Sequence, residues 1–113
     1  MSGLTTHVLD TTHGRPAGGV ALRLLKAGEE VAQAVTNADG RCDQPLLTGD
    51  ELKPGSYRLE FDVGAYFRNQ GVALPRPAFL ETVAVEFSLA EPQGHYHVPL
   101  LVSPYGYSTY RGS

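Results

Sequence analysis

The sequence has a single cysteine, Cys42, so no disulfide can form within the chain. Basic residues are few and scattered: nine Lys and Arg stand against twelve Asp and Glu, for a net charge of -3, with no basic stripe. Nucleic acid is therefore not an expected partner. No apolar run approaches membrane-spanning length, and Met1-Ser2-Gly3-Leu4-Thr5-Thr6 has neither a basic nor an apolar leader region, so no membrane partner is expected. Arg111-Gly112-Ser113 is not a peroxisomal address of the S-K-L type. These absences together predict a soluble protein of a reducing compartment, with the cytoplasm as the default location. Internal repeats, linkers and low-complexity stretches are also missing, which predicts one domain over residues 1–113.

What is present is turn chemistry and alternation. Thirteen glycines and eight prolines separate short segments of β-favouring residues. Leu4 to Asp10 puts Leu4, Thr6 and Val8 on one face and Thr5, His7 and Leu9 on the other. Val20 to Lys26 and Val31 to Thr36 read as strands joined by a hairpin through Ala27-Gly28-Glu29-Glu30, and Asn37-Ala38-Asp39-Gly40 as a tight turn. Arg41 to Leu47 reads as a short edge segment. Ser56 to Asp62 faces the core with Tyr57, Leu59 and Phe61; Phe79 to Leu89 does so with Val83, Val85, Phe87 and Leu89. Only Val63 to Gly71 has helical character. Glu91-Pro92-Gln93-Gly94 turns the chain into a strand from His95 to Val102, and Ser103-Pro104 breaks that from a last extended segment, Tyr105 to Arg111. This pattern predicts an all-β protein, an antiparallel two-sheet β-sandwich with one short helix. So small a sandwich has little room for an internal pocket, so a site is expected on a sheet face or between subunits.

Candidate chemistry follows from the same alternation. In the strand from His95, Tyr96, Val98, Leu100 and Val102 form the apolar side, which puts His97 outward with Pro99 and Leu101. His7 lies on the mixed face of its strand, and Tyr110 shares a side with Gly106, Ser108 and Gly112. If the three strands adjoin, their outer faces bear two imidazoles and a phenol in open space, suited to proton transfer in hydrolysis of an amide-like bond. Arg41 has the donors to hold an anion or a developing oxyanion. Each residue alone also has an ordinary reading: His13 as a solvated loop residue, Arg41 as a loop charge, the tyrosines as packing, Cys42 as a small apolar residue. No nucleophile-elbow pattern surrounds Ser108 or Ser113. Two other classes stay open: a zinc hydrolase built on His95, His97 and His7, and a non-catalytic small-molecule carrier.

Four blocks add to this. Leu4 to Asp10 with Gly14-Arg15-Pro16-Ala17, then Asn37-Ala38-Asp39-Gly40-Arg41, then His95 to Leu100, and lastly Ser103 to Ser113 resemble the transthyretin-related 5-hydroxyisourate hydrolases over nearly the whole chain. The terminal Tyr110-Arg111-Gly112-Ser113 is the specific part, separating that enzyme family from the hormone carrier transthyretin. The resemblance implies a transthyretin-like sandwich and a homotetramer, a dimer of dimers with its sites between the dimers. It implies hydrolysis of the ring amide of 5-hydroxyisourate to 2-oxo-4-hydroxy-4-carboxy-5-ureidoimidazoline, without a cofactor. By the same resemblance His7, Arg41 and His97 are the catalytic residues, and Tyr110, Arg111, Gly112 and Ser113 bind substrate. It does not decide which histidine is the base, and it makes His95 a flanking residue.

Overall fold

The computed structural model describes residues 3–90 and 94–112, so the turn expected at Glu91 to Gln93 and the terminal Ser113 lie outside the described residues. Two sheets pack face to face. The first contains β1 (Gly3–Asp10), β2 (Arg15–Pro16), β5 (Leu47–Thr48), β8 (His95–Ser103) and β9 (Gly106–Thr109), in the order β2-β1-β8-β9 with β5 also on β1. The second contains β3 (Ala21–Lys26), β4 (Glu29–Val35), β6 (Gly55–Asp62) and β7 (Thr82–Leu89), in the order β4-β3-β6-β7. Among the described residues one α-helix, α1 (Val63–Asn69), follows β6, and a 3-10 turn spans Gly49–Glu51.

The expected alternation holds on the strands that carry the core. Leu4, Val8 and Leu100 of the first sheet meet Leu24, Leu59, Phe61 and Val83 of the second, all at most 1% exposed. Where boundaries differ, local chemistry explains it. The β3–β4 turn is the two residues Ala27-Gly28, both at positive φ, so β4 starts at Glu29 and the hairpin is tighter than expected. β7 starts at Thr82, leaving Phe79 in a loop and 73% exposed. Arg15–Pro16, expected in a loop, pairs with the end of β1.

One pairing departs from the antiparallel expectation. β1 and β8 run parallel, with Thr5 opposite His97 and His7 opposite Pro99. A parallel neighbour needs a crossover rather than a hairpin, and here the crossover is the whole second sheet. The opposite edge of β1 is covered in three places: by β2 at Leu9 and Asp10, by β5 at Gly3 and Leu4, and between them by Arg41, which bridges His7.

Asp10 ends β1 pointing inward at 1% exposure. Its carboxylate accepts from the Tyr66 hydroxyl at 2.7 Å, from His13 Nδ1 at 2.6 Å and from the His13 backbone N–H at 3.0 Å. His13, expected to be only a solvated loop residue, is thus exposed yet tied to a buried charge. Burial pushes the Asp10 carboxyl up, but the hydrogen bonds from Tyr66 and His13 outweigh it and hold the pKa below 3.8. Burial and the same carboxylate push Tyr66 up to about 12. Tyr66→Phe is expected to cost ~2 kcal/mol at pH 7, the worth of a hydrogen bond to a buried charge. Because the Asp10 pKa is lowered on folding, that margin is present above pH 3.8 and shrinks as acid protonates the folded carboxylate. Urea titrations at pH 7 and at successively lower pH check both statements, and a margin that never shrinks as acid is added contradicts the assignment to the ionised carboxylate.

Candidate active site

The outer face of the first sheet carries the candidate residues, and a cavity of about 570 Å³ opens there. His7, Arg41, His97, Tyr110 and Gly112 all line it.

His7 and Arg41 are placed by one turn. The Asn37 side-chain oxygen accepts from the backbone N–H of Asp39 at 2.9 Å and of Arg41 at 3.2 Å, folding the loop onto its own asparagine. Gly40, at φ +76°, lets that loop lie flat against β1, where its carbonyl accepts from the Val8 N–H at 2.8 Å. His7 Nε2 sits 2.9 Å from the Asp39 carbonyl oxygen. A carbonyl can only accept, so Nε2 carries the hydrogen and Nδ1 holds the lone pair of the neutral ring.

His97 is placed by its neighbours on both sides. Thr5, directly opposite on β1, sets its hydroxyl 2.8 Å from His97 Nδ1. Across the other edge, the Gly112 N–H donates to the His97 carbonyl at 2.7 Å, and a Cβ on Gly112 would stand 2.7 Å from the His97 ring. Only glycine allows this approach. Between Gly112 and the end of β9 the ladder is interrupted at Pro99, which has no N–H to give. The Pro99 carbonyl instead accepts from Thr109 Oγ1 at 2.6 Å. This gap ends β9 at Thr109, earlier than the expected Arg111, and leaves Tyr110 beside the cavity, 58% exposed. Arg111 turns the other way: its guanidinium stacks 4.4 Å from the centre of the Tyr96 ring, and it does not line the cavity.

The His7 and His97 rings are 6.5 Å apart, and those of His95 and His97 are 6.4 Å apart. Burial, reinforced by the charges of Arg41, His7 and His95, lowers the His97 pKa below 6.5. His97 is thus a neutral imidazole at pH 7, able to accept a proton beside a fixed cation. Cys42 also borders the cavity; burial and Asp43 raise its thiol pKa, which keeps it protonated and fits the expected inert role. Among the described residues no group of three or more His, Cys, Asp or Glu is arranged to hold a metal ion.

Sequence reasoning missed Thr5 and Gln44, both of which line the cavity. Thr5 shares the outward parity of His7, which was the available clue. Gln44 lies in a loop whose docking no local pattern announces.

The HIUase/transthyretin family model matches residues 4–112 of this sequence. The chain belongs to that family. The 5-hydroxyisourate hydrolase of Pseudomonas aeruginosa is 53% identical over 117 residues, covering 100% of this chain and 93% of its own. Among solved structures, the 5-hydroxyisourate hydrolase of Klebsiella pneumoniae superposes with a TM-score of 0.85 at 39% identity, over the full length of both chains. An (S)-allantoin synthase superposes with a TM-score of 0.93 at 43% identity over 99% of this chain, which spans 44% of that longer protein. Family membership accounts for the two-sheet architecture.

Proposed function

We infer that this chain is a 5-hydroxyisourate hydrolase, opening the ring amide to give 2-oxo-4-hydroxy-4-carboxy-5-ureidoimidazoline. The observation that carries this reading is identity near one half, along the whole chain, to relatives of that activity. A cavity lined by the three imidazoles of His7, His95 and His97 and by the Arg41 guanidinium supports it, and its polar lining argues against an apolar ligand of the carrier type.

In the mechanism, His97 is the general base. Its pKa is lowered, Nδ1 is engaged by Thr5, and Nε2 is left to take a proton from water. The resulting hydroxide adds to the ring carbonyl, and Arg41 stabilises the oxyanion that forms. His7, held by the Asp39 carbonyl, orients the water through its Nδ1 lone pair. The proton then passes from His97 to the ring nitrogen as the C–N bond breaks, returning the base to its starting form. Tyr110 and Gly112 shape the pocket beside the base, and every step runs through side chains of this chain.

The working unit in this reading is a homotetramer, a dimer of dimers in the cytoplasm. Support comes from the open cavity face with the exposed Tyr110 on it, the further exposed Tyr105 and Tyr107, and the positions of β7 and β9 at the free edges of the two sheets.

The test follows the ultraviolet absorbance of freshly generated 5-hydroxyisourate with and without protein. The decay is expected to accelerate well beyond the spontaneous rate. After subtraction of that rate, kcat/KM should be flat from pH 7 to 8 and fall below pH 6.5, since a base with a lowered pKa is lost only on that acid side. An unchanged decay would sink the functional reading; a midpoint above pH 7 would sink the assignment of His97.

A further inference from the structure

Thr5 does more than fill space beside His97. Its hydroxyl lies 2.8 Å from His97 Nδ1 and 3.2 Å from His95 Nε2, so one oxygen links two imidazoles. The linkage is a product of the parallel register. Thr5 stands opposite His97 and Gly3 opposite His95, so the threonine hydroxyl reaches both rings from the neighbouring strand. Gly3 has no side chain in the way: a Cβ there would stand 3.7 Å from His95 Nδ1. The two rings are held nearly parallel, 15° apart.

A hydroxyl has a single hydrogen. With both imidazoles neutral, it donates to one ring nitrogen and accepts from the other, so the tautomers of His95 and His97 are set together. Two arrangements satisfy every partner. In one, His97 Nδ1–H donates to Thr5, Thr5 donates to His95 Nε2, and His97 Nε2 is a bare lone pair. In the other, all directions are reversed, His97 Nε2 carries the hydrogen, and His97 has no basic atom left for the cavity.

We propose that Thr5 is a proton relay and tautomer selector that joins His97 to the exposed His95, making His95 the resting place of the proton taken from the attacking water. The step balances as follows. Water gives a proton to His97 Nε2 as its oxygen bonds to the substrate carbonyl carbon. His97 Nδ1 gives its proton to Thr5 Oγ1, and Thr5 gives its own to His95 Nε2. His97 ends neutral with its hydrogen moved to Nε2, Thr5 is unchanged, and His95 is imidazolium, opposite to the negative charge now on the carbonyl oxygen. Reversal of the same transfers returns the proton to the departing ring nitrogen.

Charge placement favours this route. An imidazolium at His97 would be half-buried beside Arg41 and His7, whereas His95 is exposed to water. The relay moves the positive charge off His97, which feels the charge of Arg41, onto a ring that water reaches. It rests on His97 being the base, and the experiment separates the two claims.

Four variants of the full-length protein are compared by kcat, KM and folding: Thr5→Val, which keeps the shape and removes the hydroxyl; Thr5→Ser, which keeps the hydroxyl; His95→Ala; and His97→Gln. Thr5→Val is expected to lower kcat 30- to 100-fold with KM changed less than threefold, in the general range for an assisted proton transfer. Thr5→Ser should recover kcat to within threefold of wild type, and His95→Ala should fall by about as much as Thr5→Val. Nitrogen-15 imidazole shifts should place the His97 hydrogen on Nδ1 in wild type and shift it towards Nε2 in Thr5→Val. Wild-type kcat in folded Thr5→Val, or a His95→Ala protein with full activity, overturns the relay while an inactive His97→Gln leaves the base in place. An active His97→Gln overturns the base itself and the relay with it.

Discussion

His97→Gln is expected to lower kcat by about three orders of magnitude and to leave KM within a few-fold of wild type. Glutamine is close to histidine in length and keeps a polar group for Thr5, so the strand and the close approach of Gly112 should survive the change. What it cannot do is accept a proton near neutral pH. In the proposed mechanism the substrate is held by Arg41 and the rest of the cavity lining, which the substitution leaves in place, so the loss belongs in the chemical step. Steady-state rates at pH 7.5, with the spontaneous decay subtracted, decide the matter. A residual kcat within tenfold of wild type would mean that His97 is not the base.

The second large effect is expected from Gly40→Ala, a change of one methyl group at a residue that does not line the cavity. Gly40 has φ +76°, which costs an L side chain about 1 kcal/mol or more even in open space. Space is not open here: a Cβ would collide with the Val8 carbonyl oxygen and stand 3.2 Å from the Ala17 nitrogen. Both are backbone atoms of paired segments and cannot rotate away. The loop must lift off β1, breaking the hydrogen bond from the Val8 N–H to the Gly40 carbonyl, and we expect a total loss of ~3 kcal/mol. Function should suffer too, because the same loop brings the Asp39 carbonyl to His7 and the Arg41 backbone to its bridge. Urea unfolding and kcat/KM measured on the same sample test the link. Lost stability with unchanged kcat/KM would show that the loop positions neither residue.

Much of this was legible from alternation alone. The inward set of β8 and the outward His97 needed only the period of two, and His7 followed from the same rule on β1. Residues whose placement depends on contacts far along the chain were not readable. Arg41 reaches the site because Gly40 fits against Val8, a fact about two backbones that neither segment contains. Arg111 lies two residues from a proline-interrupted strand pair, and its turn toward Tyr96 depends on where that pairing lapses. Asp10 looks like the polar end of a strand; its burial becomes intelligible only once Tyr66 and His13 arrive. The parallel direction of β1 and β8 was hidden for a related reason, since short turns everywhere favour an antiparallel guess.

That parallel pair also bears on how the protein is made. During synthesis β1 emerges with half of the proton-handling residues, Thr5 and His7, but its long-range partner β8 follows some ninety positions later. At ribosomal rates of roughly 5–20 residues per second, the nascent segment waits for seconds with Leu4 and Val8 unshielded. Catalytic competence can therefore arise only after β8 has emerged, and the interval before it is when a holdase would find the most to grip.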